Sequence, residues 1–491
     1  MKTWALQVWV ASVALALAAC GDAASGEGAG SGGGSGGTGG TLDTGETAGA
    51  SDPTGGPTGT SGTSGVSGTG DESESTSGVT TGECVMNCGV PHVLAQVVAG
   101  MHCTCVLWED GGFRCWGSNP DYCTGWSPAD AFTIGDNETP ASVGDVPAGF
   151  TLSGLALAHH SCAVTSAGTV RCWGKADAEG ALGRGAIPAA ATGASEAVDV
   201  DLGADAVAIV VGHEFSCALT AERSVRCWGR NDTGQLGYGH TQNLGDDEPP
   251  SVAGDVSLGG EVIQMAAASF HVCALLASGH VRCWGSSGAN EDGLFGGQLG
   301  LGHNDDIGDD ELPSAVDPVA LPNRAIRVAA QGAHSCAVLA DGRLFCWGHN
   351  TFGQLGLGHN ETIGDDETPT SAGHVGLPAP VIDLALYADG TCVLLDNNEV
   401  RCWGEGSAGQ HGAGHEQILG IEELPADLPP LDLGPDEIVE LAAGGAHVCA
   451  RATNANIRCW GLNHAGQLGL GHTMDIGDDE LPVAAGPVPY Q

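Results

Sequence analysis

The stretch CAVTSAGTVRCWG, Cys162 to Gly174, reads as a β-hairpin with a cysteine on each arm. Pairing Cys162 with Cys172 sets Val164 opposite Val170 and leaves Ser166, Ala167 and Gly168 as a three-residue loop, a turn whose last residue is left-handed and favours glycine. The phrase returns as CALTAERSVRCWG from Cys217, CALLASGHVRCWG from Cys273 and CAVLADGRLFCWG from Cys336. The left-handed slot holds Gly111, Gly168, Gly279, Gly342 and Asn398, and departs from the rule at Arg223 and Ala455. The turn is therefore expected in five of the seven copies.

Counting outward from the loop puts the cysteines at a non-hydrogen-bonded pair, where Cα atoms approach to about 4.5 Å, within disulfide reach. The spacing recurs between Cys105 and Cys115, Cys162 and Cys172, Cys217 and Cys227, Cys273 and Cys283, Cys336 and Cys346, Cys392 and Cys402, and Cys449 and Cys459. Each closed loop would remove roughly 2.5 to 3 kcal/mol of unfolded-chain entropy on the chain-entropy model. A zinc reading would need paired Cys-x2-Cys knuckles, which the repeats lack. Cys84, Cys88, Cys103 and Cys123 lie outside the pattern and are expected to fasten the N-terminal segment to the first repeat.

Disulfides need an oxidising compartment, and the N-terminus offers a route. Lys2 precedes the apolar run WALQVWVASVALALAAC, too short for a comfortable membrane span. Its end, Leu17-Ala18-Ala19-Cys20, resembles a bacterial lipoprotein signal over residues 1–20, which implies lipidation of Cys20; the competing reading is an ordinary secretory signal cut nearby. Gly21 implies outer-membrane rather than inner-membrane sorting in the bacterial envelope. Residues 21–83, rich in Gly, Ser and Thr and without an aromatic or basic residue, cannot build a core. They read as a disordered acidic tether with an r.m.s. reach of about 45 Å.

Residues 84–491 form the folded part. The motif tryptophans Trp116, Trp173, Trp228, Trp284, Trp347, Trp403 and Trp460 are spaced by 57, 55, 56, 63, 56 and 57 residues. Each unit contains a short apolar stretch such as VALP (Val319 to Pro322), a second such as IRVAAQG (Ile326 to Gly332), the cysteine hairpin and a glycine-rich tail such as GQLGLGH. Four short strands per unit with no helical period predict an antiparallel blade. Seven such blades make an all-β, seven-bladed β-propeller. Because the first repeat lacks a preceding proline-rich strand, the C-terminal segment ELPVAAGPVPY is expected to complete the first blade and remove an open edge.

The pattern AxGxxHSCAVLxDGxLxCWGxNxxGQLGLG, as in Ala330 to Gly358, resembles the regulator of chromosome condensation (RCC) repeat, and the resemblance covers residues 93–491. It implies the same propeller, with loops on its faces that bind proteins.

His160, His271, His334 and His447 stand two residues before the first cysteine, a slot taken elsewhere by Cys103, Phe215 and Gly390. Replacement by Phe and Gly argues for a structural role rather than a shared metal. A second series, His240, His303, His359, His415 and His472, precedes acidic loops such as NDDIGDDELP. These loops read as solvated turns rather than calcium sites: no Asp-x-Asp-x-Asp-Gly loop is present, and adjacent Asp309 and Asp310 would point apart in extended chain. No metal and no cofactor are expected.

The net charge of −45, with Lys2 and Lys175 the two lysines, excludes nucleic acid and anionic membrane faces as partners. Phosphate-binding loops, His-Glu-x-x-His and Gly-x-Ser-x-Gly are missing from the folded region, so no catalytic residue is assigned and an enzyme is not expected. The leading expectation is a monomeric, lipid-anchored extracytoplasmic scaffold offering a propeller face to a protein or glycan. The alternatives are an inhibitor of an extracellular enzyme, or a polysaccharide hydrolase or lyase with its site in the central channel. The long fourth repeat carries an insertion with Leu294 and Phe295, readable as a partner contact or as a loop folded back on its blade.

Overall fold

The computed structural model describes residues 92–119, 123–127, 133–175, 179–185, 192–288 and 296–491. The signal segment, the tether, Cys20, Cys84, Cys88, Leu294 and Phe295 lie outside them. The described chain forms seven antiparallel sheets, six of three strands and one of four, arranged as a seven-bladed β-propeller.

Blade five shows the plan. Its inner strand Ala325–Gln331 pairs with the middle strand His334–Leu339, which pairs with the third strand Leu344–Gly348. The fourth position is filled by the segment after the glycine-rich tail, where Val375 N–H donates to Leu344 O at 2.9 Å. The same bond joins Val319 to Val281 and Val488 to Ile457, and in blade two Asp199–Val200 forms a formal strand on Val170–Gly174. The VALP segment thus belongs to the blade before it, one strand out of phase with the repeat frame assumed from sequence. Ring closure changes form accordingly. Val488 pairs within blade seven, and the C-terminal residues reach blade one by side-chain and carbonyl contacts: Tyr490 stacks on Trp108 at 5.8 Å and its carbonyl accepts from Arg114.

The hairpins hold the register derived from sequence, with Cys162 opposite Cys172 and Val164 opposite Val170. All seven expected crosslinks form. Cys105 is bonded to Cys115 and Cys162 to Cys172. Cys217 is bonded to Cys227, Cys273 to Cys283 and Cys336 to Cys346. Cys392 is bonded to Cys402 and Cys449 to Cys459. The Cα atoms of every such pair stand 4.1 Å apart, a little closer than the ideal non-hydrogen-bonded spacing. The left-handed turn occupies all seven hairpins rather than five: Arg223 and Ala455 adopt φ of 63° and 65°. The strands and their crosslink fix the turn, and two non-glycine residues accept the strain.

Blades are joined by one repeated seam. The seven motif tryptophans are fully buried, and the Trp347 indole N–H donates to Gln298 O of the preceding blade at 3.0 Å, as Trp403 does to Gln354 O and Trp460 to Gln410 O. The tail glycines make room for this. A Cβ on Gly300 would lie 2.8 Å from the Trp347 ring. The GQLG tail therefore supplies a carbonyl, a buried leucine and a bare surface to the next blade. Near the axis, Asp383 of blade six, buried, accepts from Leu441 N–H of blade seven at 2.8 Å and pairs with Arg327 of blade five. Burial pushes its proton affinity up, against the pull of Arg327.

The cysteine outside the repeat at the head of blade one pairs locally. Cys103 is joined to Cys123, twenty residues on, so neither is the fastener of the N-terminal segment; the Cys103 side chain occupies the histidine slot and faces the loop after Trp116.

Candidate binding face

In an antiparallel blade the turn between inner and middle strands and the end of the third strand share one end, while the hairpin loop sits at the other. The glycine-rich tails, the second histidine series and the acidic loops accordingly gather on one face, the upper face. The hairpin loops and the starts of the third strands lie on the lower face.

The upper-face loops are held from within. Asn350, buried, accepts from Leu355 N–H at 3.0 Å and donates to His359 O and Glu361 O at 2.8 and 2.9 Å. Asn463 repeats these bonds in blade seven and Asn231 in blade three. The second-series histidines close the turn that follows: Nδ1 of His359 accepts from Glu361 N–H at 3.2 Å, and Nδ1 of His472 from Met474 N–H at 3.2 Å. They are turn-closing groups on a rigid scaffold.

Beyond each turn, a bridge such as Gly348 to Ile363 pins the chain to the third strand. The acidic residues then bend back at a left-handed glycine, Gly308 at φ 100° and Gly364 at φ 102°. The extended-chain expectation for Asp309 and Asp310 is overturned: carboxylate oxygens of Asp309, Asp310 and Glu311 lie within 4.8 Å of one another, as do those of Asp246, Asp247 and Glu248, of Asp365, Asp366 and Glu367, and of Asp478, Asp479 and Glu480. Partial burial and the adjacent aspartates push Glu248, Glu311, Glu367 and Glu480 up to about 7. The Asp-Asp-Glu runs are visible in the sequence, but not the bend after glycine that folds them together.

Between blades two and three the loops border a cleft of about 810 Å³ lined by Glu179, Glu214, Asp232, Asp246 and Glu248, with Arg230 its one bordering cation among the described residues. Arg230 is engaged by Asp232 at 2.6 Å and Glu214 at 3.4 Å, and lies over Phe270. Nearer the axis, His159 and His213 meet edge to face at 4.3 Å and His213 leans on Phe270. They stand at one end of a channel of about 350 Å³ whose walls are aliphatic, among them Leu155, Ile209, Val328 and Leu384.

On the lower face arginines are set among the carboxylates and pair with several of them. Arg114 pairs with Asp145 at 2.8 Å, Arg171 with Asp199 at 2.6 Å, Arg226 with Asp255 at 2.8 Å and Arg401 with Glu399 at 2.9 Å. The first-series histidines lie in the seams, as the sequence argument holds. His271 Nε2 and His160 Nε2 each stand 2.7 Å from a serine hydroxyl of the next blade, Ser335 and Ser216.

The chain is a disulfide-crosslinked propeller of repeated blades that gathers its Asp-Asp-Glu turns on one face. Residues 143–486 match the RCC1-like domain model, and the chain belongs to that family. It is 29% identical over 325 residues to the Ultraviolet-B receptor UVR8 of Arabidopsis thaliana, a match covering 65% of this chain and 66% of the receptor. It is 32% identical over 225 residues to the probable E3 ubiquitin-protein ligase HERC3 of Homo sapiens, covering 44% of this chain and 19% of the ligase. The chain thus spans less than two thirds of the length of these relatives. Among solved structures it is similar to human WBSCR16, with a TM-score of 0.59 at 17% identity over 74% of this chain and 88% of that one. Yeast RCC1 (Prp20) bound to Kap60 gives a TM-score of 0.58 at 20% identity over 81% and 85%.

Proposed function

We propose that this protein is a non-enzymatic binding scaffold whose upper face docks a basic protein. The observation that carries the reading is the gathering of acid on the upper face: three carboxylates lie within 4.8 Å of one another on each of four blades there, whereas lower-face carboxylates are interspersed with arginines such as Arg114, Arg171, Arg226 and Arg401 that pair with them. Such a field steers cationic partners and repels phosphate backbones. Similar propellers support a protein partner, since yeast Prp20p is described with binding properties to Gsp1p and histones. In this reading Cys20 carries lipid, and residues 21–83 hold the propeller off the surface of a bacterial cell envelope.

The test uses the full-length chain and two charge variants. At pH 9, where the upper-face glutamates are ionised, Glu248→Gln, Glu311→Gln, Glu367→Gln and Glu480→Gln take four charges from the upper face; Asp201→Asn, Glu222→Gln, Asp396→Asn and Glu437→Gln take four from the lower one. Binding of a lysine-rich protein probe should weaken in the upper-face variant alone and fall steeply with salt. Equal loss in both variants overturns the reading. For the anchor, Cys20→Ser should move the protein out of the membrane fraction, and unchanged fractionation removes the anchor from the proposal.

A further inference from the structure

The disulfide outside the repeat has open space beside it. Cys123 borders a small cavity of about 10 Å³ on the upper face, lined also by Met101, His102, Ser118, Ala158 and His159, room for about one water-sized group. Two of the repeat disulfides instead meet the next blade: Cys162 Sγ is 3.3 Å from Ser216 Oγ and Cys273 Sγ is 3.6 Å from Ser335 Oγ. An attacking sulfur must approach along the S–S axis, and in these two hairpins a serine of the neighbouring sheet is packed against one of the sulfurs.

We propose that Cys103–Cys123 is an exchange-competent disulfide whose Cys123 sulfur accepts the thiolate of a small thiol entering beside His102 and His159. The attacking sulfur forms a bond to Cys123 Sγ and the old bond's electron pair leaves on Cys103 Sγ, which takes up a proton. A second thiol then attacks the mixed disulfide, frees Cys123 as a thiol and departs as the small disulfide, so two thiols are oxidised for one protein disulfide reduced. The imidazoles border the place where the incoming thiol gives up its proton, and thiolate is the reacting form.

The dithiol form is accommodated without loss of the fold. Ser118 O lies 3.3 Å from Cys123 Sγ, ready to accept the thiol proton. The seam to blade two runs through the Cys123 carbonyl, which accepts from the Ser161 hydroxyl at 2.9 Å, and that bond does not depend on the sulfurs. The strands of blade one keep their own crosslink between Cys105 and Cys115.

The test is graded reduction of the native full-length protein with glutathione, followed by alkylation and peptide mapping. Cys103 and Cys123 should label about tenfold or more faster than the hairpin cysteines, with the circular dichroism spectrum unchanged. Given oxidised glutathione, Cys103→Ser should hold glutathione on Cys123, whose thiolate displaces the other glutathione as a thiol and has no Cys103 to resolve the mixed disulfide. A paired change of His102→Ala and His159→Ala should slow the labelling severalfold while leaving the melting temperature of the oxidised protein within a few degrees. The proposal is overturned if hairpin cysteines label at the same rate, if Cys103 and Cys123 stay protected until thermal unfolding, or if non-reducing maps join either of them to Cys84 or Cys88.

Discussion

His447 Nε2 lies 2.7 Å from Thr104 Oγ1, a contact across 343 residues that joins blade seven to blade one. The Thr104 hydroxyl donates to Gln467 O at 2.9 Å, so its one proton is spent and the imidazole must be the donor to it. Trp116 donates to the same carbonyl at 2.9 Å. The ring is therefore closed by the seam that joins its other blades, with no strand exchanged between the ends among the described residues. The histidine of one blade answers the hydroxyl of the next: His334 stands 3.2 Å from Thr391 Oγ1, and where the slot holds Phe215 or Gly390 the facing residue is Val272 or Val448, both buried.

His447→Ala removes a buried ring and its hydrogen bond, and should lower stability by about 2 to 4 kcal/mol. Thr104→Val should cost less, because it keeps the volume. In a thermal double-mutant cycle the pair should show a coupling of about 1 kcal/mol, and a coupling near zero would mean that the contact does not hold the ring.

Acid stability should follow two opposed sets of groups. Burial holds His160, His271, His334 and His447 at about 3, down from 6.5. The unfolded chain thus binds more protons than the folded one between pH 6.5 and 3, and this contribution to stability is lost as pH falls through that window. Glu248, Glu311, Glu367 and Glu480 are raised to about 7. There the folded chain binds more protons between pH 4.5 and 7, and stability is lost as pH rises. Melting temperature should climb from pH 8 to about 6.5, stay nearly level to about 4.5, and drop steeply below. A monotonic fall from pH 8 downward would contradict these shifts.

Glu311→Gln should raise the melting temperature at pH 8, where it removes a charge disfavoured by partial burial and by Asp309 and Asp310, and leave it unchanged near pH 5, where the glutamic acid is already protonated. Differential scanning calorimetry at the two pH values reads this directly. A fall at pH 8 would show that the carboxylate is a stabilising partner rather than a repelled one.

Gly466→Ala should destabilise the ring by about 1 to 3 kcal/mol, because the residue sits at φ 68° and its Cβ would lie 2.6 Å from Asp136 N across the seam between blades seven and one. Gly144→Ala is the control for strain alone, with φ 91° and no atom within 4 Å of a Cβ. Equal costs for the two would assign the effect at Gly466 to its backbone angle and not to the close approach.

Much of this protein is written locally. Seven Cys-Trp-Gly hairpins with ten-residue cysteine spacing specify seven stapled strand pairs, because strand alternation and turn geometry act over a dozen residues and do not depend on the rest of the chain. The burial of Trp347 and its equivalents follows from the same repeat. What needed the tertiary structure is whatever one blade does to another. The strand frame at Val319 and Val488 depends on which neighbour offers a free edge, and a repeat can be cut at any phase without changing its period. Arg223 and Ala455 turn left-handed because the strands on either side allow no other loop. The pairing of His447 with Thr104 leaves a trace in the sequence, a histidine in one repeat matched by a hydroxyl in the next, but only the closed ring says that the last repeat answers to the first. The gathering of Asp309, Asp310 and Glu311 depends on a bend at Gly308, fixed by the bridge that pins Ile307 to Gly285, and no rule of extended chain foresees it.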